Sequence, residues 1–222
     1  MNILSIDTST NKVSVALKID NKIDSLENRQ EIRASQIVLT MIDKILNKHK
    51  ISCKDLNAIS FNKGPASFTG TRIASSITQA IGYTWKIPVF GVSSLTIMAF
   101  DYFKKTKHSE IISIKKAYSQ KVFWAAYSIG KNSFKPISGN HISNFADIKL
   151  DGDSKWHGIS DCWDDYESGT NGSIDQLIEK TDINEKGNAE RIIDFVLSNG
   201  KIDKEFDYKD TLPEYVSHDL YD

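Results

Sequence analysis

Gly64-Pro65-Ala66-Ser67-Phe68-Thr69-Gly70-Thr71-Arg72 is a glycine-bounded loop that runs straight into a helix. Before it, Leu56-Asn57-Ala58-Ile59-Ser60-Phe61 reads as a buried strand, and after it Ile73, Ile77, Ala80 and Ile81 recur at helical spacing. Strand, tight loop and helix start gather backbone N–H groups and the positive end of a helix dipole at one point, which suits an anion or a docking partner. A P-loop has the form G-x-x-x-x-G-K-[ST]. Here five residues separate Gly64 from Gly70, and Thr71-Arg72 follows, so the spacing fails. The plainer reading is a structural turn: Pro65 fixes φ, the glycines take conformations other residues resist, and Thr69 caps the helix.

Outward from that loop, the first half has a regular order. Ile3 to Ile6, Val13 to Leu17 and Lys22 to Leu26 read as three short strands joined by polar links, an antiparallel meander opening a mixed sheet. A helix follows from Ser35 to His49, with Val38, Met41, Ile42, Ile45 and Leu46 as its core stripe. Pro88 to Val92 supplies another strand, and Ser93 or Ser94 caps a helix carrying Leu95, Met98 and Ala99. A meander followed by alternating helices and strands is the unit repeated in actin-like folds. The second half is more polar. It predicts a hairpin of Glu110–Lys116 and Lys121–Ile129 with Trp124 under the sheet, a short capped helix from Ser143, a strand over Lys155–Ile159, a surface loop over Asp164–Gly172 and a helix from Asn188 to Leu197 stopped by Gly200. No internal repeat is visible in the sequence.

Composition narrows the class of function. The 222 residues carry 28 basic against 29 acidic side chains, and 40% hydrophobic content supports a substantial core. Tight binding of nucleic acid by the chain alone calls for a basic excess on one face, which these totals do not supply. The lysine clusters Lys44-Lys48-Lys50-Lys54 and Lys104-Lys105-Lys107 read as solvated helix ends. The two cysteines, Cys53 and Cys162, suggest neither a disulfide framework nor a zinc site. The opening Met1-Asn2-Ile3-Leu4 does not resemble a signal peptide and no run is long enough to span a membrane, so a cytoplasmic location is expected.

In order and spacing, Gly64 to Arg72 together with Ile3-Leu4-Ser5-Ile6-Asp7-Thr8-Ser9, Val89-Phe90-Gly91-Val92-Ser93-Ser94-Leu95 and Leu212-Pro213-Glu214-Tyr215-Val216 resembles the TsaB (YeaZ) family. The likeness is strong over residues 1 to about 100 and thin afterwards. It implies an α/β fold of the actin-like or sugar-kinase-like ATPase (ASKHA) type, with mixed sheets and helices in two lobes, here placed at residues 1–100 and 101–222. It also implies a bacterial subunit of the machinery that makes threonylcarbamoyladenosine in tRNA, next to the anticodon. In that role the chain is a non-catalytic adaptor that binds and activates a TsaD-like catalytic subunit, alongside a TsaE-like ATPase. A second copy takes the partner's place when TsaD is absent, and tRNA is met only indirectly. No cofactor is expected on this chain alone; ATP and metal are expected at the partner subunits.

Asp7-Thr8-Ser9-Thr10 sits where actin-like ATPases place a phosphate-binding hairpin, making Asp7 and Ser9 the candidate nucleotide contacts. The acid is kept, but Ser9 replaces the close-approach glycine and its Cβ and hydroxyl would crowd a phosphate oxygen. Asp7 therefore also reads as an ordinary turn residue. A catalytic relative would carry two histidines at i and i+4 to hold a metal. The five histidines, His49, His108, His141, His157 and His218, include no such pair, and each is expected to be an ordinary surface or loop residue. Ser67 lies in no G-x-S-x-G elbow, which argues against a serine hydrolase.

The helix after Gly70 has two faces. Ile73, Ile77 and Ala80 are expected to face the sheet, whereas Thr71, Ser75, Thr78 and Gly82 form a face of small side chains that would let another helix approach closely, from the same lobe or a partner. The resemblance implies that this helix and the preceding one form the surface met by TsaD, through Ser35, Leu39, Met41 and Ile42 of the first helix and Thr71, Ser75 and Thr78 of the second. The signature loop supplies Gly64, Pro65, Ser67, Phe68, Thr69, Gly70 and Arg72. Several positions depart from the family pattern: Ala66 for glycine, Thr71 for leucine, Lys116-Ala117-Tyr118 and Lys121 for an Asp-Ala-Arg run and its glutamate, Cys162-Trp163 for Gly-Trp, and Ser217 for arginine. Two other readings are a small magnesium-ATP kinase or ATPase using Asp7 and the Gly64 loop, and a metal-dependent hydrolase.

Overall fold

Alternating apolar residues near the start build the expected meander, in which β1 (Ile3–Asp7), β2 (Ser14–Ile19) and β3 (Lys22–Glu27) pair antiparallel in sequence order. The structure, a computed structural model, describes residues 1–28, 33–130, 134, 136–150, 155–165, 178–182, 189–199, 202 and 204–216. After the meander come α1 (Ala34–Lys48), β4 (Ala58–Gly64), α2 (Phe68–Trp85) and β5 (Val89–Ser93). Both β4 and β5 run parallel to β1, giving the order β3-β2-β1-β4-β5. Parallel neighbours need a crossover, and α1 and α2 supply the two.

Strand alternation divides the core into two layers. Leu4 and Ile6 point with Val15, Leu17, Ile59 and Phe61 toward the stripe of α1, whose buried residues are the predicted Val38, Met41, Ile42, Ile45 and Leu46. Ile3, Ala16 and Ala58 point to the opposite face, where Ala189 and Ile193 of α4 (Ala189–Asn199) cover them. The Ala189 N–H donates to Ser14 Oγ at 3.0 Å, fixing the start of that helix on β2. This cover comes from far along the chain.

The second sheet is built from β6 (Glu110–Lys116), β7 (Lys121–Ser128), β8 (His141–Asn144), β9 (Trp156–Ser160) and β10 (Ile178–Asp182), following α3 (Ser94–Thr106). Its order is β10-β9-β6-β7-β8, with β6, β7 and β8 antiparallel and β9 and β10 parallel to β6. Read from the other edge, each sheet is a three-stranded meander whose first strand then gains two parallel neighbours. The two sheets share one topology without sharing sequence, as the actin-like expectation requires. Ile112, Ile114, Val122, Trp156 and Trp163 make the second core.

By contacts within the chain, Met1–Ser94 and Lys186–Glu214 form one compact unit and Leu95–Glu185 with Tyr215–Asp222 the other, so that α4, which covers the open face of the first sheet, belongs with it. Two expectations of secondary structure are corrected. Ser143 begins no helix but lies in β8, whose pairing with β7 claims it, and only a 3₁₀ turn at Phe145–Asp147 follows. Strand β10 was not anticipated, since Ile178-Glu179-Lys180-Thr181-Asp182 is too polar to announce itself. Asn188, Gly200, Ser217, His218 and residues 166–172 of the expected loop lie outside the described residues. Among the described residues no helix is long and apolar enough to cross a membrane.

Candidate functional site

The signature loop and the Asp7 hairpin meet at the carboxyl ends of β1 and β4. Asp7 is buried, and its Oδ1 accepts from the Ser9 N–H at 2.9 Å, an Asx turn. Its Oδ2 receives the Asn62 amide at 3.4 Å, and the same amide donates to Ser9 Oγ at 3.0 Å. Asn62 Oδ1 in turn accepts from the Gly64 N–H at 3.0 Å and the Ser94 hydroxyl at 2.8 Å. Asn62, which the sequence reading did not single out, thus ties the ends of β1, β4 and β5 into one network. The groups that would face a phosphate in an ATPase are spent on one another.

The helix start beyond the loop is closed in the same way. Ser67, rather than the expected Thr69, is the cap of α2: its Oγ accepts from the Gly70 N–H at 3.3 Å, while Thr69 sits exposed in the first turn. Thr8 Oγ donates to the Gly70 carbonyl at 2.6 Å, and the Ser67 N–H donates to the Ser9 carbonyl at 3.2 Å. A Cβ on Gly70 would lie 1.8 Å from the Thr8 carbonyl oxygen, so glycine is required here for close approach of hairpin to helix. Gly64 is required for its backbone, at φ +98°.

Helix α2 buries more of its surface than the sequence reading assigned: Ile73 and Ile77 pack partly against the first core as expected, Ala80 is exposed, and the small face is the more deeply buried one. Thr71, Ser75, Thr78 and Gly82 are the buried side, and Ser75 Oγ donates to the Thr211 carbonyl at 2.5 Å. Small side chains let this helix settle close to its own sheet and to the segment around residue 206, where Phe206 lies against Gly82 and Tyr83. Thr71, Ser75 and Thr78 are therefore buried within this chain, and Met41 and Ile42 are buried in the core as well. Of the seven predicted interface residues only Ser35 and Leu39 are exposed. The partly buried Ile73 and Ile77 instead line an open groove of about 440 Å³ between α1 and α2, with Ser35, Leu39, Thr69 and Arg72. This groove continues past Ser35, Thr69 and Ile73 into a more polar pocket of about 670 Å³ bounded by Thr8, Thr10, Asn11, Arg33 and Ser67. Leu39 is 62% exposed and Phe68 57%, the latter under the Arg72 guanidinium at 3.5 Å.

Elsewhere, the altered positions Lys116, Tyr118, Lys121 and Cys162 lie in the second unit. Lys116 and Lys121 flank the β6–β7 turn, where the Ala117 N–H donates to the Lys121 carbonyl at 2.9 Å and Tyr118 lies edge-on to Phe123. Cys162 and Trp163 are buried, and the indole N–H donates to the Thr181 carbonyl at 3.0 Å. Glu214 pairs with Lys63 at 3.3 Å. Burial pushes the Cys53 thiol above its usual range. His49 pairs with Asp24 at 2.8 Å, while His108 and His157, distant in sequence, stack with ring centroids 3.6 Å apart. Among the described residues no three His, Cys, Asp or Glu side chains gather closely enough to hold a metal ion.

Comparison with known proteins follows this geometry. The family model described as "TsaD: tRNA N6-adenosine threonylcarbamoyltransferase" matches residues 31–186. The tRNA threonylcarbamoyladenosine biosynthesis protein TsaB of Buchnera aphidicola subsp. Acyrthosiphon pisum (strain APS) is 41% identical over 131 residues, covering 59% of this chain and 59% of that protein. TsaB of Escherichia coli (strain K12) is 34% identical over 132 residues, covering 60% and 57%. The matched stretch thus spans under two thirds of the length of these curated relatives. YeaZ from Pseudomonas aeruginosa superposes with a TM-score of 0.77 at 23% identity, covering 97% of this chain and 99% of that one, which fixes the fold. With a family match over residues 31–186, TsaB relatives and the YeaZ fold in agreement, the chain belongs to the TsaB (YeaZ) branch of this threonylcarbamoyltransferase family.

Proposed function

We propose that this chain is a non-catalytic adaptor that binds and activates a TsaD-like enzyme in the formation of threonylcarbamoyladenosine in tRNA next to the anticodon. One contrast supports the reading: the Asp7 hairpin is satisfied internally, whereas the α1–α2 flank leaves Leu39 exposed beside a groove floored by Ile73 and Ile77. Apolar surface of this kind gains free energy when a partner covers it. In this proposal ATP and metal act at the partner subunits, including a TsaE-like ATPase, and tRNA is engaged through them in the cytoplasm. A second copy of the chain occupies the same flank when the enzyme is absent.

The deciding experiment mixes the full chain with the TsaD homologue of the same cell and reads the complex by size-exclusion chromatography. Leu39→Asp places an unpaired charge in the interface and is expected to weaken the complex by at least about thirtyfold, the scale of a hot-spot side chain. Its melting temperature stays near that of the parent, because Leu39 lies outside the core. No complex at micromolar concentration, or full binding by Leu39→Asp, would overturn the proposal. The competing kinase reading rests on the buried Asp7 carboxylate at the end of β1. It requires magnesium-dependent ATP binding that Asp7→Ala abolishes, and calorimetry on the isolated chain separates the two.

A further inference from the structure

The second unit contains a cluster of titratable rings that plays no part in the adaptor reading. Helix α3 ends at Thr106, whose hydroxyl donates to the Tyr102 carbonyl at 2.9 Å, and Lys107 turns the chain at φ 64°. That turn folds His108 back onto β9, where its ring stacks on His157 at 3.6 Å with 20° between the planes. Tyr102 completes the cluster from α3: its ring is parallel to His108 within 24°, and its hydroxyl lies 3.3 Å from His157 Nδ1. From β10, Glu179 approaches the same Nδ1 at 4.0 Å, but it is also held by Lys155 at 3.5 Å. The His157 side chain is only 13% exposed.

We propose that the His108–His157 stack is a pH-sensitive latch that holds the last turn of α3 and the following connection to β6 against β9. Two neutral imidazoles stack face to face without penalty. Two imidazolium rings at 3.6 Å repel each other strongly in a half-buried setting, so the closed stack resists the second proton. Burial first, then the charge of His108 and that of Lys155, holds His157 below the ordinary 6.5, and Glu179 only partly opposes them. A histidine whose folded value is depressed binds protons more readily when released. The open form is therefore favoured as pH falls below 6.5. Each proton taken up on opening raises the open population by up to about tenfold per pH unit.

The test is amide hydrogen exchange on the full chain between about pH 7.5 and about pH 5.5, corrected for intrinsic rates, together with titration of the histidine ring protons by NMR. The latch predicts acid-accelerated exchange confined to residues 102–110 and a depressed His157 titration. His157→Phe keeps a ring beneath His108 but cannot titrate, and abolishes the acceleration. His108→Phe diminishes it and raises the His157 titration point. Exchange that is unchanged by acid, an ordinary His157 titration in the parent, or acceleration that persists in His157→Phe each overturns the proposal. The parent titration decides the matter even if a variant fails to fold.

Discussion

Gly70 carries the most constrained contact in the first unit, since the hairpin carbonyl of Thr8 occupies the space where any side chain would begin. Backbone against backbone leaves no flexible end to move aside, so relief requires shifting the hairpin or the first turn of α2, with loss of the Thr8 and Ser67 hydrogen bonds. Gly70→Ala is expected to cost about 3 kcal/mol or more, at the upper end for overpacking. Gly82→Ala also meets close neighbours, Val89 Cγ2 at 2.5 Å and Phe206 at 2.9 Å, but these are side-chain atoms that can turn. Its cost is expected to be about 1–2 kcal/mol. Urea unfolding of the two variants ranks them, and equal losses would contradict the distinction. Both glycines stand out in the sequence, but the identity of what crowds them does not, because the crowding comes from Thr8 and Phe206, far away along the chain.

At the scale of elements, periodicity located α1 and its whole core stripe correctly and located α2 while underrating the burial of its small face. Hydrophobicity ranks isoleucine above threonine, so Ile73 and Ile77 were expected inside. Closeness of approach shares the inside between the two sets: with Thr71, Ala74, Ser75, Thr78 and Gly82 on one side, α2 lies tight on the sheet, and the isoleucines pack only partly against the core while also lining the groove. The start of α2 was misread in the same way, because Ser67 and Thr69 are equally good caps by residue type and only the loop's path selects Ser67. A second element-level contact joins α1 to β3. Asp24 accepts from Lys48 at 2.7 Å and His49 at 2.8 Å, and these hydrogen bonds, Lys48's first, hold its carboxyl below the usual 3.8. A depressed carboxyl contributes stability above its unfolded value and loses it as pH falls through the folded one. Since Lys48 is well exposed, Asp24→Asn is expected to cost only about 0.5–1 kcal/mol near neutrality. The difference from the parent should shrink as pH falls below 3.8 and vanish once the parent's Asp24 is protonated in the folded state as well. Melting curves across that range, with a loss that persists in acid, would show that the contact works by packing instead of charge.

For the whole molecule, the shared topology of the two sheets could not be seen as a sequence repeat, because strand order depends on which backbones pair and not on which side chains recur. The return of the chain to the first unit was hidden for a related reason: α4 was recognisable as an amphipathic helix, but nothing local says which sheet it covers. That placement can be tested by cutting. A fragment of residues 1–100 would keep every strand of the first sheet yet lose Ala189, Ile192, Ile193 and Val196 from its covered face. The three larger side chains represent about 2 kcal/mol of burial each, which together approach the whole net stability of about 5–15 kcal/mol of an ordinary domain. The Ser75–Thr211 hydrogen bond and the Lys63–Glu214 pair are lost with them. Such a fragment is expected to give poorly dispersed NMR spectra and no cooperative unfolding transition. Joining residues 1–94 to 186–214 through a flexible glycine-serine linker restores the missing layer, and is expected to recover both. Cooperative folding of the 1–100 fragment alone would mean that α4 merely decorates a lobe complete without it, and the division of the chain would then fall where the sequence first placed it.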